Sequence, residues 1–148
     1  MGLVTWFMSH LAVPVTIEIS SDSFTFCTRR RTLQLDTCVD VDVSGSTARI
    51  AAVGDRRRVV NGNTRVELFT CDPLAIAAVT RADCLVAFLR HGVHELLQRS
   101  LVVKFPVIVK GVDVLDDALH GYQAPVLRET LLQAGARPDE IRFERRAV

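Results

Sequence analysis

The first third of the chain alternates apolar and polar residues with a period of two, and this pattern constrains the fold most strongly. Val15, Ile17 and Ile19 alternate with Thr16 and Glu18. The same alternation, or a short apolar run, recurs at residues 24–27, 33–36, 39–43 and 47–54. Because a strand places successive side chains on opposite faces, this period predicts half-buried β-strands.

The second half of the chain carries two helical patterns that alternate with apolar strands. A helix is predicted over "TRADCLVAFLRHGVHELLQR", where Thr80 and Asp83 can form a capping box. The strand candidate "LVVKFPVIVKG" follows, and Pro106 within it indicates an edge or a bulge. A second helix begins at Pro125 and ends at Gly135, before a last strand at "EIRFERR". The apolar face of the first helix comprises Leu85, Leu89, Val93, Leu96 and Leu97.

The order of these elements predicts an α/β domain of the α+β type, in which helices pack against a mixed sheet. The order β-β-β-(β)-α-β-α-β is that of an RNase H-like or actin-like ATPase lobe. Residues 15–148 are predicted to form this single domain, after an apolar lead-in segment at residues 1–14. The stretches 55–79 and 113–122 are predicted to be irregular or to contain only short pieces.

The net charge and the cysteine spacing bear on nucleic-acid binding and on structural zinc. The net charge of +1 gives no whole-chain argument for nucleic acid, so no nucleic-acid partner is expected. None of the cysteines at positions 27, 38, 71 and 84 forms a C-x-x-C pair, which disfavours structural zinc. We expect reduced, mostly buried thiols in a cytoplasmic protein.

The lead-in segment is apolar, but it is too short and too interrupted to span a bilayer. Leu3, Trp6 and Phe7 have two interpretations. They pack on the fold or on a partner chain, or they contact a membrane surface.

Pieces spread along the whole chain resemble the first lobe of the bacterial actin homologue MreB. They also resemble short rod shape-determining, MreB-like proteins that carry only that lobe. The resemblance implies an actin-like fold and a role in cell shape or the bacterial cytoskeleton. The matching pieces are "VTIEISSDSFTF", "ARIAAVGD", "DPLAIAAVTRADCLVAFLRHGVHELL", "FPVIVKG" and "VLRETLLQAGARPDEIRFER".

The phosphate loop of that family differs from the matching stretch here. The family has an aspartate followed by glycine and threonine, and the matching positions are Glu18, Ser20 and Ser21. Glycine lets a backbone amide approach a phosphate without a side chain in the way. The match also leaves out the second lobe, which completes the nucleotide site of the family. We therefore expect a hairpin and no bound cofactor, with ATP and Mg²⁺ as the alternative.

Carboxylates provide a second, enzymatic hypothesis. In RNase H-like nucleases, a carboxylate on the first strand and another after a later strand hold a divalent metal ion. Glu18 with Asp113 or Asp116 would be such a set. The plainer interpretation is that Glu18 faces solvent or pairs with an arginine, while the aspartates cap a loop. His91 and His94 on the first helix likewise have metal-ligand spacing, or lie at its polar edge.

The leading hypothesis is a non-catalytic interaction protein with one actin-like lobe. Its expected partners are a second copy of itself, as a homodimer, or an actin-like cytoskeletal protein. Apolar residues expected to be exposed provide the candidate contacts. They are Leu3, Trp6, Phe7, Val59, Val60, Val66, Leu68 and Phe69.

Overall fold

The computed structural model describes residues 2–3, 13–70, 81–98 and 104–147. These ranges contain eight strands, three α-helices and one 3₁₀-helix. The strands are β1 (Val15–Ile19), β2 (Ser23–Cys27), β3 (Thr32–Asp36), β4 (Cys38–Asp42), β5 (Arg49–Val53), β6 (Asn63–Glu67), β7 (Phe105–Lys110) and β8 (Ala136–Glu144). The helices are α1 (Arg81–Leu97), α2 (Asp116–Leu119), α3 (Gln123–Gln133) and the 3₁₀-helix Val112–Leu115.

Five strands form a mixed sheet in the order β3-β2-β1-β7-β8. The pairs β1–β2 and β2–β3 are antiparallel, whereas β1–β7 and β7–β8 are parallel. The chain thus forms the antiparallel strands β1–β3 first. It reaches the parallel strands β7 and β8 later, through connections that contain helices. This confirms the mixed α/β architecture predicted from the order of elements.

One face of this sheet forms the core together with α1 and α3. Along β1, Val15, Ile17 and Ile19 are buried while Glu18 is exposed, as the period of two predicts. The predicted apolar face of α1 is confirmed, except that Leu97 is only partly buried. Each fully buried aliphatic or aromatic side chain stabilises the fold by about 1.5–3 kcal/mol. The capping residue proposed for this helix, Thr80, lies outside the described residues.

A second, smaller sheet has the order β5-β4-β6, and both of its pairs are antiparallel. The stretch 55–79 was expected to be irregular or to contain only short pieces, and residues 63–67 form such a piece, the five-residue strand β6. The chain reverses at Asn61-Gly62, and β6 then pairs along the whole of β4. This pairing joins residues about 25 positions apart, as in Asp40 with Arg65, so a short sequence window carries little signal for it.

Pro106 lies in a central strand, so the expectation of an edge was wrong. The strand β7 is bordered by β1 and β8. The alternative of a bulge is confirmed, because the pairing with β8 is irregular between Phe105 and Val107. Proline has no N–H to donate, so the ladder is interrupted at that position.

The stretch after β7 is more regular than expected, because it forms the 3₁₀-helix and α2. None of the helices in the described ranges has the length and hydrophobicity required to cross a bilayer.

Candidate functional site

The turn between β1 and β2 closes on its own polar groups. The amide of Ser20 donates to the carbonyl of Ser23 at 2.9 Å. The Ser20 hydroxyl donates to the same carbonyl at 3.0 Å and shares a 2.8 Å hydrogen bond with the Ser23 hydroxyl. Gln34 Nε2 donates to Ser23 Oγ at 3.0 Å. The donors of Ser20 are therefore occupied within the hairpin.

The tip of this turn is tied to the start of the small sheet. Both the amide and the hydroxyl of Thr37 donate to the carbonyl of Asp22, at 3.0 and 3.1 Å. The side chains of Ser21 and Asp22 remain exposed. Since Asp22 carries a negative charge at the tip, a phosphate placed there would be repelled by it.

The end of β7 lies very close to the end of β1 at Gly111. A Cβ atom at Gly111 would be 2.8 Å from the carbonyl oxygen of Ile19, and the residue has a φ of +79°. Its amide donates to the carbonyl of Glu144 at 2.9 Å, which joins β8 to the same edge. The sequence analysis did not identify this glycine, although its place directly after an apolar strand was the available signal.

Two of the three carboxylates of the nuclease hypothesis, those of Asp113 and Asp116, accept hydrogen bonds from different groups. Glu18 is exposed and lies opposite Lys110 in the β1–β7 register. Asp113 Oδ1 accepts a 2.6 Å hydrogen bond from the amide of Arg146. Asp116 Oδ1 accepts from Gln123 Nε2.

These carboxylates and the histidines of α1 are the candidate metal ligands of the sequence. Within the part of the chain that the structure describes, no group of three or more histidine, cysteine, aspartate or glutamate side chains is arranged to hold a metal ion. Asp113 and Asp116 accept hydrogen bonds from the amide of Arg146 and from Gln123, and the nuclease set of Glu18 with Asp113 or Asp116 stays a prediction.

A cavity of about 330 Å³ lies between the β1–β2 turn and the small sheet. In its lining, Arg56 Nη2 is 2.7 Å from Glu67 Oε2. The charge of this arginine is thus paired with a neighbouring carboxylate, while its Nε has no hydrogen-bond partner within the described residues. The lining residues are Ser21, Asp22, Thr37, Arg56, Glu67, Phe69 and Thr70.

The strongest polar cluster is centred on Arg65, which the sequence analysis did not single out. Arg65 Nε and Nη2 donate to the two carboxylate oxygens of Asp40 at 2.8 and 3.1 Å. Asp40 is only 5% exposed. The hydrogen bond that Arg65 donates to Asp40 raises the pKa of Arg65 above its ordinary value. The same guanidinium donates to the carbonyls of Asp55, Arg56 and Arg58, at 3.3, 2.7 and 2.6 Å.

The described cysteines are free thiols. Cys38 and Cys84 are buried, and burial raises the pKa of both thiols above the ordinary value. A thiol with a raised pKa is rarely ionised at neutral pH and is a poor nucleophile. These two cysteines therefore belong to the core, while Cys27 is partly exposed and Cys71 lies outside the described residues.

Two of the residues proposed for partner contacts are buried, so the expectation that they are exposed was wrong. Val66 and Leu68 are each only 3% exposed, because β6 pairs with β4 and directs Val66 toward Val39 in the core. Phe69 is partly buried and stacks on Phe24 with the ring centres 5.4 Å apart.

The remaining contact candidates fall into two groups. Leu3 is 83% exposed, and Val59 and Val60 are exposed as expected. Trp6 and Phe7 lie outside the described residues, so their exposure stays a prediction.

Comparison with protein-family models finds no match. No curated protein matches the sequence either. Similarity is found with solved structures, of which eleven chains match. One of these is the crystal structure of MreB 5 of Spiroplasma citri bound to AMPPNP. It covers 91% of this chain with a TM-score of 0.63 and 8% sequence identity.

This similarity defines the fold as that of a single actin-like ATPase lobe. The chain spans 39% of the length of the MreB 5 chain that it matches. At 8% identity this similarity shows the fold alone. An actin-like fold is also what the resemblance to MreB in the sequence implied.

Proposed function

We propose that this protein is a non-catalytic, single-lobe, actin-like scaffold that acts by contacts with other proteins in bacterial cell shape or the cytoskeleton. Its place of action would be the cytoplasm, and its partner an actin-like filament or a second copy of the chain. The similarity of its fold to MreB 5 supports the cytoskeletal part of the proposal.

The β1–β2 turn carries the non-catalytic part of the proposal. Phosphate is held in proteins by free backbone amides and hydroxyls that point at its oxygens. Here the amide and the hydroxyl of Ser20 both bond to Ser23. A phosphate could reach these donors only by breaking the hairpin bonds.

The charges in the turn and around the cavity also disfavour a bound nucleotide. The exposed carboxylate of Asp22 lies at the tip, and the nearby cation of Arg56 is paired with Glu67. A nucleotide phosphate carries several negative charges and would need a net positive environment. We therefore favour protein contacts over nucleotide chemistry as the activity of this lobe.

Sedimentation with actin-like filaments tests the proposal. The purified protein is mixed with polymerised MreB 5 of Spiroplasma citri and centrifuged, with the protein alone as the reference. We expect it to pellet only with filaments, and to release no phosphate from ATP when alone. A protein that stays in the supernatant at tens of micromolar filament, and that is a monomer by light scattering, would contradict the scaffold proposal.

A further inference from the structure

Exposed apolar side chains are concentrated at one end of the small sheet. The large hydrophobic side chains that are exposed in the described ranges are Leu3, Val43, Ile50, Val59, Val60 and Tyr122. Four of these, Val43, Ile50, Val59 and Val60, lie close to the end of β4 in the chain or in the pairing register. Asp42, the last residue of β4, pairs with both Arg49 and Asn63. Ile50 pairs with Val41 and Arg65 pairs with Asp40, so Ile50 and Arg65 lie on opposite faces of the small sheet. We call Val59 and Val60, which directly follow the loop that Arg65 contacts, the distal patch.

Positive charge borders the distal patch. Arg49, Arg57 and Arg58 are exposed. Within the described residues the guanidinium groups of Arg57 and Arg58 make no hydrogen bond or ion pair. Each nearby acid has one oxygen engaged locally, because Asp42 Oδ1 accepts from the amide and hydroxyl of Ser44 and Asp55 Oδ1 accepts from the amides of residues 57 and 58. The three arginines outnumber these two acids.

The loop that leads into the patch is held in place by Arg65. The guanidinium donates to three carbonyls of that loop, those of Asp55, Arg56 and Arg58, while the buried Asp40 accepts from the guanidinium. Ordering a loop upon binding costs free energy, so a loop that is already ordered binds more tightly. The pair of Arg65 with Asp40 thus orders the backbone that carries Arg57 and Arg58 and leads to Val59.

We propose that the distal patch is the docking surface for an acidic protein segment with apolar side chains. Val59 and Val60 would cover the apolar residues of the segment, and the bordering arginines would pair with its carboxylates. The patch has no aromatic side chain on which a nucleic-acid base would stack, which disfavours single-stranded nucleic acid. This proposal rests on the proposed scaffold function and names the surface through which it acts.

Peptide binding tests the assignment of the partner. A fluorescein-labelled twelve-residue peptide of alternating glutamate and leucine is titrated with the protein and followed by anisotropy. Comparison peptides replace glutamate with lysine or leucine with serine, and a single-stranded oligonucleotide serves as a second anionic probe. We expect the glutamate–leucine peptide to bind at least about tenfold more tightly than each comparison, a difference of about 1.4 kcal/mol.

Matched variants test the assignment of the surface. Arg57→Ser with Arg58→Ser removes two charges from the border, and Val59→Ser with Val60→Ser removes two exposed apolar side chains. Arg29→Ser with Arg30→Ser removes the same charge from the exposed β2–β3 turn and is the control. We expect each patch variant to weaken binding about tenfold or more, and the control to change it less than about twofold. Circular dichroism melts confirm that all variants fold.

Several results would overturn this inference. Equal loss of binding in the control variant would mean that only overall charge matters. Tighter binding of the oligonucleotide would assign the surface to nucleic acid, and no peptide binding would remove the docking role. A dimer in light scattering that the valine variant converts to monomer would make a second copy the occupant.

The proposed function and this inference fail separately. Filament sedimentation that persists in the patch variants would leave the scaffold role standing and remove the patch. Peptide binding without filament sedimentation would leave the patch and remove the cytoskeletal role.

Discussion

Gly92 of α1 lies directly against the ring of Phe26 in β2. A Cβ atom at Gly92 would be 2.5 Å from Cζ of that ring and 2.7 Å from Cε1. Real Cβ atoms do not approach other atoms so closely, so only glycine allows the helix to lie this near the sheet. Phe26 also contacts Phe88 one helical turn earlier, with the ring centres 6.0 Å apart. The distance between helix and sheet is thus set by one residue without a side chain.

Replacement of Gly92 by alanine should therefore destabilise the fold. Alanine favours a helix over glycine by about 1 kcal/mol, but overpacking of a core costs about 1–3 kcal/mol. We expect the cost of the contact to exceed the gain in helix propensity, with a net loss of about 1–2 kcal/mol in urea unfolding. The control is Gly45→Ala, since a Cβ there meets only atoms at 3.8 Å or beyond.

A second substitution identifies the contact that is responsible. Phe26→Leu is itself destabilising, yet in the Gly92→Ala background it removes the ring atoms that collide with the new methyl group. The two substitutions should then cost less together than the sum of their separate costs. If the two costs simply add, the contact between Gly92 and Phe26 does not set the position of α1.

Gly111, which directly follows β7, provides a similar test of a close contact. Gly111→Ala adds both the strain of a positive φ and a contact of 2.8 Å with the carbonyl of Ile19. Gly62→Ala adds only the strain, since its φ is +91° and nothing lies within 4 Å of the new Cβ. We expect a loss of about 1 kcal/mol for Gly62→Ala and a clearly larger loss for Gly111→Ala. Equal losses would mean that β1 and β7 can separate at little cost.

Arg65→Met should be among the most destabilising single substitutions in the small sheet. It leaves the carboxylate of Asp40 buried without its partner, a change that costs about 3 kcal/mol or more. Arg137→Met breaks the more exposed pair with Glu140 and should cost at most about 1 kcal/mol. Urea unfolding of both variants measures the difference. Similar small losses would show that the Asp40–Arg65 pair does not hold the loop.

The buried thiols give the stability a defined pH dependence. Because burial raises the pKa of Cys38 and Cys84 in the folded state, their contribution is fully present below the pKa of an unfolded thiol. It is lost as the pH rises from about 8.5 through the folded pKa. Wild type should therefore lose more stability between pH 8 and pH 10 than the double variant Cys38→Ala, Cys84→Ala. Parallel pH curves for the two proteins would contradict this origin.

The local patterns predicted the elements of the large sheet well. The alternation from Val15 to Ile19 and the spacing from Leu85 to Leu96 depend on neighbours within one strand or one helix, and both are confirmed. The bounds and the pairing of β6 were not predicted, because its partner β4 lies far away in the chain. The same distance hid the burial of Val66 and Leu68, which depends on that pairing.

The candidate site was predicted less well than the fold. The sequence showed that the β1–β2 turn lacks glycine, but the hydrogen bonds between Ser20 and Ser23 depend on the hairpin geometry. Arg65 was one charge among many, and only the fold places it against Asp40 and three carbonyls. The glycines at positions 92 and 111 matter through contacts with residues that are distant in sequence.

We predict that the turn at Ser20 does not hold a nucleotide. This prediction is tested most directly by thermal melting of the protein with and without millimolar Mg·ATP, with Mg²⁺ alone as the reference. A ligand at a hundred times its dissociation constant adds about 2.7 kcal/mol of stability, which corresponds to a rise of several degrees in the melting temperature. We predict no shift. A clear upward shift that Ser20→Ala abolishes would show that this turn binds phosphate, and would contradict the account.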